Sequence, residues 1–246
     1  MRIKILLLTL SLTLLSSFSV LSVSLDQGIY EMNRGEFKAA IAHFDPLVAQ
    51  GYAPAQYQMA LVYQNGYSVP KDGYKALELF KLSADQNYPD AQFELALIYT
   101  EGKLVKQDLN KAFQLTHKAA KKELASAQFN LAVMYANGTG VEQDHFKASR
   151  WYKRSAKQNY ALAQFNLALL YSEGKGVEQS TDLSYVWNTV AAWNGYQKAE
   201  DSRLIDSRGM SQGRTEANME KATRIYKNIQ NQLKNKAIMA EMKRID

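Results

Sequence analysis

The sequence predicts an all-α chain built as a solenoid of helix–turn–helix repeats, and three observations predict it. The string Ala-Gln-aromatic begins at Ala55, Ala91, Ala127 and Ala163, at intervals of 36 residues without slippage. Alanines at 60, 96, 132 and 168, tyrosines at 63, 99, 135 and 171, and glycines at 66, 102, 138 and 174 keep the same step. Within each copy the apolar residues fall at helical spacing rather than in alternation. One helix pair does not bury its apolar face alone, so such copies stack side by side and need capping ends.

The elements follow in chain order. Residues 1–24 read as a secretory signal peptide: Arg2 and Lys4 precede an apolar run from Ile5 to Leu15, and small residues end at Ser22-Val23-Ser24. Cleavage is expected after Ser24, with Ser19 as the second option. The competing reading is a retained anchor, since a stretch of about 20 residues spans a bilayer, but the Ser and Thr content favours cleavage. Residues 25–54 form a half-matching capping repeat, in which Ala40, Phe44, Gly51 and Tyr52 stand 36 residues before Ala76, Phe80, Asn87 and Tyr88.

Four full repeats follow, over 55–90, 91–126, 127–162 and 163–198. The first helix of each, exemplified by Ala55 to Gln64, stops at a glycine able to take the left-handed conformation. Asp72, Asp108, Asp144 and Ser180 then stand where a second helix starts, and their oxygens suit the free N–H groups there. Stripes such as Ala76/Leu79/Phe80/Ala84 and Ala148/Trp151/Tyr152/Ala156 supply the packing face. These helices end near Asn87-Tyr88, Asn159-Tyr160 and Gly195-Tyr196. Residues 199–246 hold a degenerate repeat and a capping helix over 215–246, with Ala222, Ile225, Ile229, Leu233 and Ala237 on one face.

Composition narrows the function. Lys and Arg total 30 against 24 Asp and Glu. Loss of Arg2 and Lys4 with the leader leaves a mature charge of about +4, a weak electrostatic signal. No Lys/Arg run interleaved with aromatics points to nucleic acid. With no cysteine, disulfides, zinc thiolates and thiol nucleophiles are excluded.

These residues resemble the Sel-1-like repeat (SLR) family, close kin of tetratricopeptide repeats. The third copy carries the pattern most fully, with Ala127, Leu131, Ala132, Tyr135, Gly138, Gly140, Val141, Asp144, Lys147, Ala148, Trp151 and Tyr152. Ser68 and Leu104 depart from its second glycine, and Ser180 and Leu183-Ser184 from its Asp and Lys-Ala. The resemblance implies a right-handed α-α superhelix, an N-terminal tetratricopeptide-like cap, and an inner surface that binds protein partners. It also implies a role as an adaptor or regulator of the bacterial cell envelope.

Candidate partner-binding residues lie in two columns of the first helices, seven residues apart and so on one face. They are Gln58, Glu94, Asn130 and Asn166, and Asn65, Glu101, Asn137 and Glu173. Either they line a concave surface, or Asn130 and Asn166 brace neighbouring repeats and Asn65 and Asn137 end helices. Residues 56, 60 and 63 point into the core, and Tyr57, Phe93, Phe129 and Phe165 serve packing. No cofactor and no catalytic or metal site is expected. His43 reads as a partly buried packing residue, His117 as an exposed variable position, and His145 as a residue of a loop or first turn. None has a partner at metal-ligand spacing. A β-lactam-binding or -hydrolysing enzyme, as in the cysteine-rich branch of that family, and binding of cell-wall polymer are the alternatives.

Overall fold

The computed structural model describes residues 24–245, so the leader expected over 1–24 lies outside the described residues except for Ser24. Regular structure among the described residues is helical: α1 over 24–33, α2 Phe37–Ala49, α3 Ala53–Asn65, α4 Gly73–Asp85, α5 Pro89–Glu101 and α6 Leu109–Lys121. Then come α7 Ala125–Asn137, α8 His145–Lys157, α9 Ala161–Glu173, α10 Thr181–Trp193, α11 Gln197–Ser207 and α12 Gln212–Ile245. The fold is an all-α solenoid in which successive helices pack within each unit, α2 to α5 in the first and α6 to α11 in the second. It divides into two compact units, one ending at Gln107 and one beginning at Asp108. The first holds α1–α5 and the second α6–α12.

Each first helix begins two residues before its Ala-Gln-aromatic string, at Ala53 rather than Ala55. Tyr52 and Tyr88 are the residues before α3 and α5, and prolines at 54 and 89 fill positions whose N–H has no helical acceptor. The helices end at Gly66, Gly102, Gly138 and Gly174, all left-handed. Second helices start as expected. Asp72 accepts from the N–H of Tyr74 and Lys75, Asp108 from Lys111, Asp144 from Lys147 and Ser180 from Leu183. The caps are also tied back to the tyrosine column: Asp72 N–H donates to Tyr63 O at 2.9 Å, and Ser180 N–H to Tyr171 O at 2.8 Å.

In the first unit, Ala40, Phe44 and Leu47 of α2 pack on Ala55, Met59 and Val62 of α3. The same arrangement of small and large columns recurs in the second unit, where Ala148, Tyr152, Leu167 and Leu170 are all buried between α8 and α9. Residue 56 points inward as expected, and its column does more than fill space. Gln128 Nε2 donates to Ala120 O in the preceding helix at 3.2 Å, while its oxygen accepts from Gln158 at 2.8 Å. Gln164 repeats this with Ala156 O and Asn194. Each buried amide therefore pins one hairpin to the previous one, and removing it leaves buried groups unpaired at about 1–3 kcal/mol.

The second glycine of the repeat is explained by contact. At Gly176 φ is +68, and a Cβ would stand 2.1 Å from His145 O; Gly140 has the same relation to Leu109 O. At Ser68 the backbone is still left-handed, with φ 57. The histidine expectations hold at 43 and 145, since His43 is half-buried beside Glu31 and His145 opens α8. His117 corrects the expectation of an exposed site: its ring lies between Phe113 and Trp151, 6.0 and 6.1 Å away. Burial, then Lys121, holds its pKa below the usual value.

The last helix starts at Gln212, three residues before the expected 215. It runs beside α10, with Arg214 and Asn218 on Asp182 and Trp193 meeting Tyr226 at 5.5 Å. Ala222 and Ile229 are buried, whereas the later face is open, with Ala237, Ile238, Met239 and Met242 exposed. No helix of the described residues is long and apolar enough to cross a membrane.

Candidate interaction face

The exposed side of the first helices is set by what their other side must do. Columns 56, 59, 60 and 63 serve the core, so columns 58, 61 and 65 are left facing outward. In the first unit, Gln58 and Glu94 are half-buried, and Asn65 and Glu101 are exposed. In the second unit, Asn130 and Asn166 are half-buried, with Asn137 and Glu173 exposed. Between the two polar columns runs an aliphatic one: Leu61 and Leu97 in the first unit, Val133 and Leu169 in the second. Leu169 is 43% exposed.

The polar side chains are held by their own helices. Asn130 Nδ2 donates to Ser126 O at 3.0 Å, Asn166 Nδ2 to Leu162 O at 2.8 Å, and Asn65 Nδ2 to Leu61 O at 2.8 Å. None of these bonds crosses to a neighbouring repeat, so the bracing role considered for Asn130 and Asn166 is not what their bonds show. Each amide is fixed in orientation with its oxygen left for a donor. Glu101 and Glu173 pair with Lys103 and Lys175 in the following loops, at 3.4 and 2.9 Å. Exposed pairs of this kind contribute little and exchange readily.

The aromatic column packs as expected. Tyr57 meets Phe80 at 5.9 Å and Tyr88 at 5.4 Å; Phe129 meets Tyr152 at 5.7 Å and Tyr160 at 5.1 Å. In the first unit this column adjoins two carboxylates, Asp90 and Glu94, one turn apart on α5. Burial raises both pKa values, and Asp90 raises Glu94 further. Burial pushes Tyr88 up to about 12, with Asp90 adding to it.

One group of polar residues was not singled out from the sequence. Ser184 and Asn188 of α10 and Asp206 of α11 are joined: Ser184 Oγ donates to Asp206 Oδ2 at 2.8 Å, and Asn188 Nδ2 donates to the same oxygen at 2.9 Å. They line a hollow of about 190 Å³ beside Phe165 and Leu169. The signal was in the columns. Four alanines precede Ser184 at 36-residue steps, Phe44, Phe80, Thr116 and Tyr152 precede Asn188, and Val62, Ile98, Met134 and Leu170 precede Asp206.

Among the described residues, no group of three or more His, Asp and Glu is placed to hold a metal ion.

The Sel1 repeat model matches residues 53–88, 89–124, 125–160 and 161–192, more than half of the chain and in step with the helix pairs. The chain belongs to the Sel1 repeat family. Sel1 repeats form scaffolds suited to protein–protein interaction, typically without catalysis. Solved structures show the same fold. A Sel1 repeat protein from Oxalobacter formigenes is 23% identical with a TM-score of 0.70, over 84% of each chain. The protein c5321, a protective antigen present in uropathogenic Escherichia coli strains, is 24% identical with a TM-score of 0.51, over 79% of this chain and 51% of that one. A Sel1 repeat protein from Klebsiella pneumoniae subsp. pneumoniae, at 20% identity and a TM-score of 0.50, covers 76% and 93%. At these identities the likeness is one of fold. No curated protein sequence matches this Sel1 repeat protein significantly.

Proposed function

We propose that this Sel1 repeat protein is exported and acts as a protein–protein interaction adaptor or regulator in the bacterial cell envelope. It binds a segment of its partner on the outward face of the first helices in its second unit. The observation that carries this reading is the half-exposed aliphatic column lying between two polar columns. Amides fixed at Asn130 and Asn166 offer acceptors at repeat spacing, which sets the register of an extended chain. Val133 and Leu169 supply apolar contact, the larger source of affinity. Export rests on the basic, apolar and Ser-rich order of residues 1–24.

Crosslinking in intact cells followed by mass spectrometry tests the reading. One partner captured by the wild-type chain, and lost from Asn130→Ala/Asn137→Ala/Asn166→Ala with helical content unchanged, supports it. Capture unchanged by the triple variant moves the docking elsewhere. Co-sedimentation with purified peptidoglycan without any protein capture favours polymer binding instead. Export has its own readout: N-terminal sequencing of the mature chain should begin at Leu25, and an uncut cytoplasmic chain rejects it.

A further inference from the structure

The hollow between α9, α10 and α11 exists because three packing columns turn polar at the same interface. In the second unit's preceding hairpin, Phe129 packs on Tyr152; at the corresponding place Phe165 faces Asn188, with no ring to fill the space. A chain selected only for stability gains nothing here. Three joined polar groups are worth no more than an apolar filling of equal volume, and often less.

The donors and acceptors of the hollow do not balance. Ser184 Oγ and Asn188 Nδ2 both donate to Asp206 Oδ2, and Asn188 Nδ2 also reaches Ser184 Oγ at 3.4 Å. Asn188 is 3% exposed, and its Oδ1 is buried without a partner. No basic side chain among the described residues pairs with Asp206. Of the basic residues near it in sequence, Arg203 is engaged by Glu200 and by the Tyr185 hydroxyl. Asp206 is the one charged group lining the hollow, among the hydroxyls of Ser172, Ser184 and Ser202 and behind walls of Phe165, Leu169 and Ile205. Its complement is a positively charged donor on an apolar stem. An anion meets Asp206, and a neutral apolar group leaves that carboxylate without a cationic partner.

We infer that this hollow is a socket for a lysine or arginine side chain of a bound protein segment, an inference that rests on the scaffold function proposed above. The socket lies on the same face as that function requires, since Ser202 continues the column of Asn130 and Asn166, and Ile205 that of Val133 and Leu169. A basic residue seated here anchors the end of the segment and sets its direction.

The test uses the side-chain amide resonance of Asn188 in ¹⁵N spectra of the full mature chain. Nα-acetyl-lysine amide is the probe, and Nα-acetyl-norleucine amide carries the same stem without charge. The lysine probe should shift that resonance saturably, and the norleucine probe should bind about tenfold more weakly or not at all. Asp206→Asn should lose a similar factor with unchanged circular dichroism. If that variant does not fold, Ser202→Lys, which tethers a cation at the rim, should suppress the probe's effect. Equal response to both probes, or a response that survives Asp206→Asn and Ser202→Lys, overturns the socket. No lysine response, with a partner still captured equally by wild type and Asp206→Asn, overturns the socket and leaves the scaffold function standing. A lysine response with no protein captured rejects the scaffold function, and with it a protein as the source of the cation.

Discussion

The interface of α8 with α9 and that of α10 with α11 share one backbone plan and opposite chemistry. Ala148, Tyr152 and Leu170 make the first a dry contact, all 6% exposed or less. Ser184, Asn188 and Asp206 occupy the equivalent columns in the second and bond to one another. Helices pair in both places, so the repeat geometry does not depend on every interface being apolar. Stacking cooperates between neighbours only, which lets a terminal interface carry polar groups while the interior ones supply stability.

Substitution at matched columns separates the two interfaces most widely. Tyr152→Ala should cost about 3–5 kcal/mol, by loss of buried ring and the cavity left behind. Asn188→Ala should cost less, about 1.5–3 kcal/mol, because the hollow already exists and what is lost is chiefly its bond to the Asp206 carboxylate. Urea unfolding of both variants measures the gap, and equal costs would mean that the second interface is as tightly packed as the first.

A smaller effect concerns how each interface is closed at its edge. Gly176 folds over the start of α8, where a Cβ meets His145 O, whereas the start of α10 is held by Arg214 and Asn218 on Asp182. Gly176→Ala should destabilise by about 1–3 kcal/mol from the left-handed backbone alone. Truncation before Gln212 should loosen the start of α10 and leave the start of α8 unchanged. Hydrogen exchange resolved by helix reads both.

Restoring the repeat pattern should work in the other direction. Asn188→Phe/Asp206→Leu gives the last interface the side chains of its predecessors and should raise stability by about 1–2 kcal/mol. The same variant should no longer respond to the lysine probe. A loss of stability would show that the polar trio is needed for folding.

The smallest effect is in pH. Burial raises the pKa of Asp206, although Ser184 and Asn188 partly oppose it. A carboxyl raised on folding favours the native state below its unfolded value, and that contribution disappears as pH rises through the folded value. Asp206→Asn should therefore gain stability relative to wild type between acid and neutral pH. A bound basic side chain pulls the carboxyl back down and should reverse this trend.

Most of the architecture was legible in the residues. The glycine column marked where first helices end, the Asp/Ser column where second helices start, and the Ala and Tyr columns which faces are buried. The site was legible only in part. The seven-residue spacing put Asn130 and Asn137, or Asn166 and Glu173, on one face. It did not show that each amide bonds its own helix, nor that an aliphatic column lies between them. His117 was misread because its column holds Lys81, Lys153 and Thr189 elsewhere, while its burial comes from Phe113 and Trp151 on either side.

By itself, then, the sequence determined what depends on near neighbours: helix start, helix stop, and the face each helix turns inward, because those preferences act within one or two turns. Only the tertiary structure decided that Ser184, Asn188 and Asp206, on two different helices, meet around one hollow with an oxygen left over. Hydrogen bonding and desolvation depend on which atoms lie within a few ångströms, and that proximity is created by packing.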